Sequence, residues 1–452
     1  YSSIAILGMG ATGLSVARFF RSRGIDFMFA DTRCEPPGLG RVRREYPNVR
    51  VMLGELDGAA YDALEILVVS PGVALDEPIL QRALANNIRL IGDVELFFQH
   101  ANAPVIAITG ANGKSTVTTL VGEMARRSGL DVGVGGNLGT PMLDLLSAER
   151  QLYVLELSSF QLELFQCSEG ATCALLNISP DHLDRYRDID HYRAAKLRIF
   201  RGAQHAIVNR QDPLTYPESS ERTSITSFGS DQPNGEHFGL QTYLGEAWLV
   251  GNGERLMRLT SVAMQGRHNI NNALAALALG GCAELPMSAM IETLCDFEGL
   301  PHRCEKIASI EGVLYIDDSK ATNVGATCAA IDGFAHGRQK NILLIAGGYA
   351  KGQDFDALVS RASGAVKHCL LIGEASIELS ELFEGRVTTQ HCDSLNAAVA
   401  CAYRIAKQGD VVLLSPACAS FDMFADFADR GRCFQAAVRA LKTTPPPTMV
   451  AL

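Results

Sequence analysis

The hydrophobic and polar positions of this chain fall into two alternating patterns from its beginning. Residues 3–7 and 27–30 are short, almost continuously apolar runs, and residues 12–23 between them repeat apolar positions every three to four residues. Runs of the first kind predict buried β-strands, and repeats of the second kind predict α-helices. Their alternation predicts parallel βαβ units, whose ligands bind at the carboxyl ends of the strands.

The same alternation continues along most of the chain. Further strands are predicted at 66–69, 105–109, 153–157, 174–178, 206–209, 313–316, 341–346, 369–372 and 411–415. They are separated by segments that include predicted helices at 93–99 and 269–280 and a turn-rich patch with short strands at 227–259. The proline-rich tail from Thr443 predicts a frayed end.

The length of the chain predicts several domains. A chain of 452 residues is too long for one hydrophobic core and corresponds to roughly three domains. A new series of strands starts after the helix at 93–99, and another starts near Leu300. We therefore predict an α/β protein with three domains, at residues 1–93, 94–299 and 300–452.

Composition and charge narrow the class of protein. A hydrophobic fraction of 47% excludes wholesale disorder, and a net charge of −10 has the wrong sign for a dedicated nucleic-acid binder. No apolar run is long enough to cross a bilayer, so we expect a cytoplasmic protein. The twelve cysteines include no CxxC pair, which favours reduced thiols over a disulfide framework or a zinc site.

A glycine-rich loop follows the first predicted strand. Gly8, Gly10 and Gly13 open the first helix, and the second strand leads to Asp31. This spacing is typical of a dinucleotide fingerprint, in which backbone amides hold a diphosphate and the acid holds a ribose hydroxyl. Alone, the pattern is equally compatible with a tight turn that binds nothing. A second loop, at 70–72, is predicted at the same edge of the sheet.

A stronger motif opens the second domain. Residues 109–116, TGANGKST, stand directly between a predicted strand and a helix. Ile108 occupies the place of the first glycine of a full Walker pattern, but the mechanism is retained: glycine amides cradle phosphates, Lys114 neutralises them and the Ser115 hydroxyl can bind Mg²⁺. The context favours binding of an ATP-type triphosphate.

Polar side chains follow several later strands. Glu156 comes after one strand, and Asp181, His182 and Asp184 come after the next. Carboxylates suit magnesium, so these residues favour a metal and phosphate site beside the P-loop. Lys196, taken by itself, reads as a surface lysine. In the third domain, residues 317–323, 347–351 and 415–420 each follow a strand, which favours a ligand pocket there.

Taken together, these motifs identify a family resemblance. TGANGKST, ELSSFQLE, NISPDHLDRY, YRAAKLRIF, GRHNINNALAALAL, LPHR, DDSKATN and LLSPACASFDMF occur in this order, and the set resembles the Mur ligase family over nearly the whole chain. The resemblance implies a UDP-binding Rossmann-like domain, a central P-loop ATPase domain and a Rossmann-like C-terminal domain that binds an amino acid. It implies that ATP converts the carboxylate of UDP-N-acetylmuramoyl-L-alanine into an acyl phosphate. The amine of D-glutamate then attacks, and a tetrahedral intermediate expels phosphate.

The resemblance also implies roles for particular residues. The implied catalytic set is Lys114, Glu156, His182 and Lys196. Ser115 and Glu156 match ligands of one Mg²⁺ ion, and His182 and Lys196, the latter as a carbamate, match ligands of a second. The implied nucleotide contacts are Gly110, Asn112, Gly113, Lys114, Ser115, Thr116, Asn269, Asn272, Arg303 and Asp318. Together with the glycine fingerprint, it gives as nucleotide-sugar contacts Ala11, Thr12, Asp31, Thr32, Arg33, Ser70, Gly72, Asn137, Ser158 and Gln161. The implied D-glutamate contacts are His302, Lys320, Thr322, Lys351, Ser420 and Phe427.

One loop departs from the family pattern, and other functions stay open. The family usually has an acidic residue in the loop where Tyr349 and Ala350 stand before Lys351. A dehydrogenase would use Gly8, Gly10, Gly13 and Asp31 but leaves the P-loop unexplained. A nucleotide-binding regulator would bind ATP without releasing phosphate, and a sister Mur-type or folylpolyglutamate-type ligase would add another amino acid. The expected partners are small molecules, with no nucleic acid and no membrane, and the expected state is a monomer.

Overall fold

The computed structural model describes residues 3–54, 63–182, 185–218, 223–264, 266–335, 337 and 339–441. Asp184 and the predicted frayed tail from Thr443 lie outside these residues. The described chain forms two compact units. The first comprises described residues within Tyr1–Ile178, Asp190–Leu259 and Ala273–Thr293, and the second comprises those within Ser179–Ile189, Thr260–Asn272 and Leu294–Leu452.

The first unit begins with a five-stranded parallel sheet. Its strands are β1 (Ile4–Leu7), β2 (Met28–Asp31), β3 (Val51–Leu53), β4 (Ile66–Val69) and β5 (Arg89–Ile91), in the order β3-β2-β1-β4-β5. The accompanying helices are α1 (Ala11–Ser22), α2 (Leu39–Glu45), α3 (Pro78–Ala85) and α4 (Asp93–Phe98). The central strand β1 is apolar throughout because it is flanked by strands on both edges and covered on both faces.

A second parallel sheet of the same unit contains the P-loop. Its strands are β6 (Val105–Thr109), β7 (Val132–Gly136), β8 (Leu152–Glu156), β9 (Thr172–Leu175), β10 (His205–Asn209) and β11 (Ser224–Phe228), in the order β11-β10-β9-β6-β8-β7. Its helices are α5 (Lys114–Arg127), α6 (Ser159–Leu162) and α7 (Ile189–Leu197), with 3₁₀ turns at Met142–Leu145, Arg198–Phe200 and Pro213–Thr215. Strand β6 lies between β9 and β8, so the loops after these three strands are neighbours.

The turn-rich patch forms a separate antiparallel sheet. It consists of β12 (Gly239–Tyr243), β13 (Glu246–Gly251) and β14 (Glu254–Arg258), followed by a 3₁₀ turn at Leu259–Ser261. Helices α8 (Arg267–Cys282) and α9 (Met287–Asp296) come next along the chain. Among the described residues, no helix combines the length and apolar character that a bilayer crossing requires.

The second unit is built on a six-stranded mixed sheet. Its strands are β15 (Glu305–Ile310), β16 (Val313–Asp317), β17 (Ile342–Gly347), β18 (Val366–Ile372), β19 (Thr388–His391) and β20 (Val411–Leu414), in the order β15-β16-β20-β17-β18-β19. Only β15 pairs in the antiparallel direction. The helices are α10 (Val324–Phe334), α11 (Asp356–Ala365), α12 (Ser376–Phe383), α13 (Leu395–Ile405) and α14 (Phe427–Leu441). Buried aliphatic clusters cover both faces of the sheet.

The α/β class predicted from the sequence is confirmed. The strands predicted at 66–69 and 105–109 have the predicted bounds, because apolar runs with polar flanks mark their ends. The strand predicted at 174–178 instead spans Thr172–Leu175, which leaves Asn177 in the loop that follows it.

Candidate active site

The glycine loop after β1 forms one wall of a cavity of about 490 Å³. Its volume is in the usual range for small-molecule sites. The cavity is lined by all the predicted nucleotide-sugar contacts except Ser158, namely Ala11, Thr12, Asp31, Thr32, Arg33, Ser70, Gly72, Asn137 and Gln161. Ser158 instead caps helix α6. Its hydroxyl oxygen accepts a hydrogen bond from the Gln161 backbone N–H in a capping box.

Two glycines of this loop are required by backbone geometry. Gly8 has a φ of 101°, and a Cβ there would lie 2.7 Å from the Ser70 hydroxyl oxygen. A Cβ on Gly13 would lie 2.0 Å from the Gly8 carbonyl oxygen, a direct collision with backbone. Gly10 differs, since a Cβ there would meet nothing within 4 Å. The loop therefore packs strand against helix through Gly13 and leaves Gly10 open to the cavity.

Asp31 is bound to the loop itself. Its buried carboxylate accepts from the Met9 backbone N–H at 3.2 Å and from the Arg33 backbone and guanidinium at 2.8 to 3.1 Å. Burial acts to raise the pKa of Asp31, but the hydrogen bonds from Arg33 outweigh it and hold the pKa below its usual value. A carboxylate has about four acceptor positions, so these four hydrogen bonds occupy nearly all of them. A ribose hydroxyl could bind Asp31 directly only if Arg33 moved.

The P-loop connects β6 to α5. Gly113 occupies the N-cap position with a left-handed φ of 83°, which a side chain would disfavour. The ammonium group of Lys114 folds back over the loop and donates to the carbonyl oxygens of Gly110 at 2.9 Å and Ala111 at 3.0 Å. Ser115 and Thr116 are buried in the first turn of the helix. The loop thus presents amides, a lysine and a hydroxyl at a helix N-terminus, where anions bind favourably.

Asn177 clamps the P-loop, and the sequence reasoning missed it. Its side-chain oxygen accepts from the Asn112 N–H at 2.8 Å, and its amide nitrogen donates to the Asn112 carbonyl at 3.0 Å. Its backbone carbonyl also accepts from the Ala111 N–H. The available signal was its position two residues after β9, close to the strand end as Glu156 is at the end of β8.

Glu156 connects the P-loop region to the cavity. It is 3% exposed at the end of β8, and one carboxylate oxygen accepts from the Asn137 side chain at 2.7 Å. The other oxygen is buried and has no hydrogen-bond partner among the described residues. A buried carboxylate oxygen without a donor suits a hard cation such as Mg²⁺. Asn137 also lines the cavity, so this residue belongs to both regions.

Lys196 is buried, contrary to the reading of this lysine by itself as a surface residue. It is 1% exposed on α7, and its amine donates to the Gly110 carbonyl at 2.9 Å and to the Thr109 hydroxyl at 3.3 Å. The amine also lies 4.7 Å from the centre of the Tyr192 ring. Apolar residues of α7 draw this face of the helix inward, which places Lys196 beneath the P-loop.

The predicted nucleotide residues of the second unit form their own contacts. The Asn272 side chain donates to Asn269 at 2.9 Å on α8, and both are buried. Asp318 accepts from the Cys304 N–H at 3.2 Å and from the Ser415 hydroxyl at 2.7 Å. Burial raises the pKa of Asp318 to about 7, although the Ser415 hydrogen bond acts to lower it. Arg303 lies in the same unit, one residue before Cys304.

Several predicted D-glutamate residues gather around Phe427. The Lys320 ammonium lies 3.9 Å from the centre of the Phe427 ring, and the His302 ring meets the same ring edge-on at 6.3 Å. His302 Nδ1 lies 2.7 Å from a carboxylate oxygen of the fully buried Asp317. Lysine and histidine are thus held at defined positions beside one aromatic ring.

The carboxylates near His302 could suggest a metal centre. The ligand atoms of His302, Glu305 and Asp317 lie within 4.8 Å of one another. The Gln435 amide, however, donates to Glu305 at 3.1 Å and to Asp317 at 2.9 Å. An amide N–H group therefore bridges the two acids, which makes the cluster a scaffold for His302.

Arg430 is a second structural residue that the sequence reasoning missed. It is 1% exposed and donates to the Ser319 hydroxyl and carbonyl and to the Cys418 carbonyl at 2.8 to 3.1 Å. Burial lowers the pKa of Arg430 to about 10. The Arg430 guanidinium therefore connects the loop that contains Lys320 to the loop that contains Ser420. Ser420 itself is buried.

The loop that departs from the family pattern is held by its backbone. Tyr349 and Ala419 exchange two N–H to carbonyl hydrogen bonds at 3.0 Å, while the Tyr349 side chain is half exposed. The side chain at 349 can therefore vary without releasing the loop. Lys351 lies 3.9 Å from a carboxylate oxygen of Asp181.

The remaining predicted residues lie in the second unit. Thr322 precedes α10, whose N-cap is Asn323, and Asn323 also donates to Asp181 at 3.0 Å. His182 follows Asp181 with a left-handed φ of 56°. The roles of His182, Thr322 and the other residues of this unit in binding stay predictions.

The P-loop, the buried carboxylate beside it and the adjoining cavity define a nucleotide-dependent α/β enzyme. Family comparison makes the class specific: the chain belongs to the Mur ligase family. Residues 2–92 match the Mur ligase MurD-like N-terminal domain, residues 108–280 the Mur ligase middle domain, and residues 302–418 the Mur ligase glutamate ligase domain. The chain is therefore an amide-forming ligase of an ATP-dependent class.

Similar proteins span nearly the whole chain. A UDP-N-acetylmuramoylalanine–D-glutamate ligase from Pseudomonas savastanoi pv. phaseolicola is 48% identical, over 96% of this chain and 97% of the relative. A ligase of the same name from Marinobacter nauticus is 46% identical, over 96% and 98%. Among solved structures, a pseudomurein peptide ligase type C from Methanothermus fervidus covers 98% of this chain and 100% of its own, with a TM-score of 0.60 at 17% identity. At that identity the structural likeness shows the fold alone.

Proposed function

We propose that this ligase joins D-glutamate to UDP-N-acetylmuramoyl-L-alanine while converting ATP to ADP and phosphate, a step of peptidoglycan precursor synthesis. The contact of Asn137 with Glu156 carries the proposal, because it makes the nucleotide-sugar cavity adjoin the P-loop region. A ligase of this type needs that adjacency, since the substrate carboxylate must reach the terminal phosphate of ATP. The choice of substrates rests on the names of the relatives.

The residues of the first unit fit the first half of this reaction. The amides of the glycine loop after β1 would hold the diphosphate of the nucleotide sugar, and Asn137 and Gln161 would orient the sugar and peptide part. Lys114 would exchange its two carbonyl contacts for phosphate oxygens and neutralise charge that develops during transfer. The carboxylate oxygen attacks the terminal phosphorus, the bond to ADP breaks, and an acyl phosphate forms.

Magnesium is part of the proposal. Ser115 and Glu156 offer hard oxygen ligands, and the Glu156 oxygen that has no hydrogen-bond partner among the described residues supports their use. Carbamylation of Lys196 would add two further oxygens beside the P-loop. Its position supports this, because the buried amine lies 2.9 Å from the Gly110 carbonyl of the P-loop. The ion would neutralise phosphate oxygens during transfer.

The second half of the reaction would use the second unit. Lys320 and Lys351 carry the positive charge that the two carboxylates of D-glutamate require, and Ser420, Thr322 and His302 add polar contacts. The amine attacks the acyl carbon, and the tetrahedral intermediate expels phosphate. A closed, dry site would protect the acyl phosphate from hydrolysis.

Phosphate release tests the assignment. Purified protein is incubated with ATP, Mg²⁺ and UDP-N-acetylmuramoyl-L-alanine, and D-glutamate, L-glutamate, meso-diaminopimelate and L-lysine are added separately. We expect phosphate and product with D-glutamate only, and turnover lowered about a thousand-fold in the Lys114→Ala variant. Equal turnover with a diamino acid or with L-glutamate would exclude the proposed specificity and favour a sister ligase. ATP binding without phosphate release under every condition would favour a regulator.

A further inference from the structure

Both the oxygen and the nitrogen of the Gln161 side-chain amide form hydrogen bonds within the protein. Its oxygen accepts from the Ser158 N–H at 3.1 Å and from the Ser158 hydroxyl at 3.2 Å, and its nitrogen donates to a carboxylate oxygen of Asp93 at 3.2 Å. A carboxamide nitrogen carries two donors, so one remains after the bond to Asp93. Gln161 lines the cavity after β1, where a ligand can accept that donor.

Asp93 does not line the cavity, and its position is unusual for an acid. It is 3% exposed at the first residue of α4, and its second carboxylate oxygen is buried without a hydrogen-bond partner among the described residues. Burial raises the pKa of Asp93 to about 6, although the Gln161 hydrogen bond acts to lower it. An acid that only complemented the helix dipole would not need to be buried.

The N-terminus of α4 does not need this side chain as a cap. Gly92 occupies the N-cap position, and Asp93 follows it inside the helix. Besides the backbone N–H groups of Asp93 and Val94 at the start of its own helix, the described partner of this carboxylate is Gln161, 68 residues away in the sequence. This hydrogen bond joins α4, the helix after the first sheet, to α6, the helix after β8.

We propose that Asp93 is a positioning residue for the nucleotide-sugar substrate, which acts by fixing the Gln161 carboxamide. Its carboxylate selects the orientation in which the Gln161 oxygen faces Ser158 and an N–H group is offered to the cavity. The two ends of a carboxamide differ only in their hydrogen bonding, so an acceptor on one side determines which end faces the ligand. The inference rests on the proposed function and adds a residue that touches no substrate.

Steady-state kinetics of the full-length ligase test this role. In Asp93→Ala we expect the KM for UDP-N-acetylmuramoyl-L-alanine to rise about ten-fold, because a charged acceptor of Gln161 is lost. The KM for ATP and the kcat should change by less than about two-fold on the same reasoning. Asp93→Asn should restore the KM to within about three-fold of the wild type, because its side-chain oxygen can accept the same hydrogen bond. An unchanged KM in Asp93→Ala would overturn the proposal.

A double-mutant comparison shows whether Asp93 acts through Gln161. In a Gln161→Met background, Asp93→Asn and Asp93→Ala should add no further rise in KM, because the hydrogen bond is already absent. The same fold-change in both backgrounds would contradict the proposal. If Asp93→Ala does not fold, Asp93→Leu, which also lacks an acceptor for Gln161, takes its place in the two backgrounds.

Leu96→Ala is the matched control. Leu96 is buried on the same short helix, so its truncation loosens α4 without removing the hydrogen bond. We expect a lower Tm and an unchanged KM for this variant. A rise in KM equal to that of Asp93→Ala would assign the effect to helix packing. Wild-type turnover, measured alongside, separates failure of this inference from failure of the proposed function.

Discussion

Two glycine loops of the first unit have the same local design and different charge. Each follows a parallel strand and opens a helix: Gly8–Gly13 leads into α1, and Gly110–Gly113 leads into α5. The second loop has Lys114 in the first helical turn, folded over its carbonyl groups. The first turn of α1 contains no basic residue, and its loop is instead fastened by the carboxylate of Asp31.

This difference shows what each loop can stabilise. Backbone amides and a helix N-terminus supply partial positive charge, which suits a diphosphate that binds without reacting. A transferring phosphoryl group develops more charge, and the P-loop adds a lysine and a candidate cation site to meet it. On the proposed function, binding and chemistry are therefore assigned to two different loops of similar shape.

Removal of Lys114 should give the largest effect. Lys114→Ala should lower kcat/KM by about a thousand-fold, since a full charge beside the transferring phosphate is lost. The measurement is phosphate release, with Arg126→Ala as the control. Arg126 is an exposed residue of the last turn of the same helix, paired with Glu123. Activity of Lys114→Ala near that of the control would remove the distinction between the two loops.

Substitution of Lys196 tests whether its carbamate supplies an oxygen ligand for a cation beside the P-loop. Lys196→Ala should lower kcat about a hundred-fold, and acetate or propionate in the assay should restore part of the activity by supplying the missing carboxylate oxygens. Mass spectrometry under carbon dioxide should show a labile addition on the wild-type lysine. Absence of rescue, with the protein folded, would argue for the unmodified amine.

Gly13 and Gly10, two of the three glycines of the first loop, form a matched pair. Gly13→Ala should destabilise the fold by about 3 kcal/mol or more, because its Cβ collides with the Gly8 carbonyl. Gly10→Ala should change the free energy of unfolding by less than about 1 kcal/mol, because its Cβ meets open space. Denaturant unfolding measures both. Equal losses would show that the loop is set by something other than this contact.

Asp93, the buried acid that contacts Gln161, should make the stability of the protein depend on pH. The folded pKa of Asp93, about 6, lies above the ordinary value of 3.8 for this acid, so folding is disfavoured as the carboxyl ionises in this range. Wild-type stability relative to Asp93→Asn should therefore fall as the pH rises from about 4 to 6 and level off above it, by about 3 kcal/mol at most. Thermal unfolding of both proteins across this range measures the difference. A constant gap between the two curves would contradict the raised pKa.

Arg33 should give the smallest effect. It is more than half exposed at the rim of the cavity, so loss of its pairing with Asp31 is screened by water. Arg33→Ala should raise the KM for the nucleotide sugar by about three-fold and leave the KM for ATP unchanged. A ten-fold or larger rise would mean that this loop also depends on a cation and would weaken the contrast with the P-loop.

The sequence predicted the elements better than the contacts between them. Strands β4 and β6 were predictable because apolar runs with polar flanks define them, and the P-loop was predictable from its glycines and Lys114. The clamp by Asn177 was not, because it depends on β9 lying beside β6, and strand order is not written in a periodic pattern. The burial of Lys196 was missed for the same reason: the helix face that turns inward is set by the sheet beneath it.

Asn137 has one side-chain amide, and the residue belongs both to the cavity lining and to the contact with Glu156. In the present arrangement the amide donates to Glu156 while the residue lines the cavity. A cavity ligand that draws this amide away would leave the carboxylate more exposed to a cation, so occupancy of one site would change affinity at the other. Thermodynamic linkage makes that influence reciprocal and equal in size. One hydrogen bond of 2.7 Å can thus couple the two sites, so that a ligand bound at either site changes the affinity of the other.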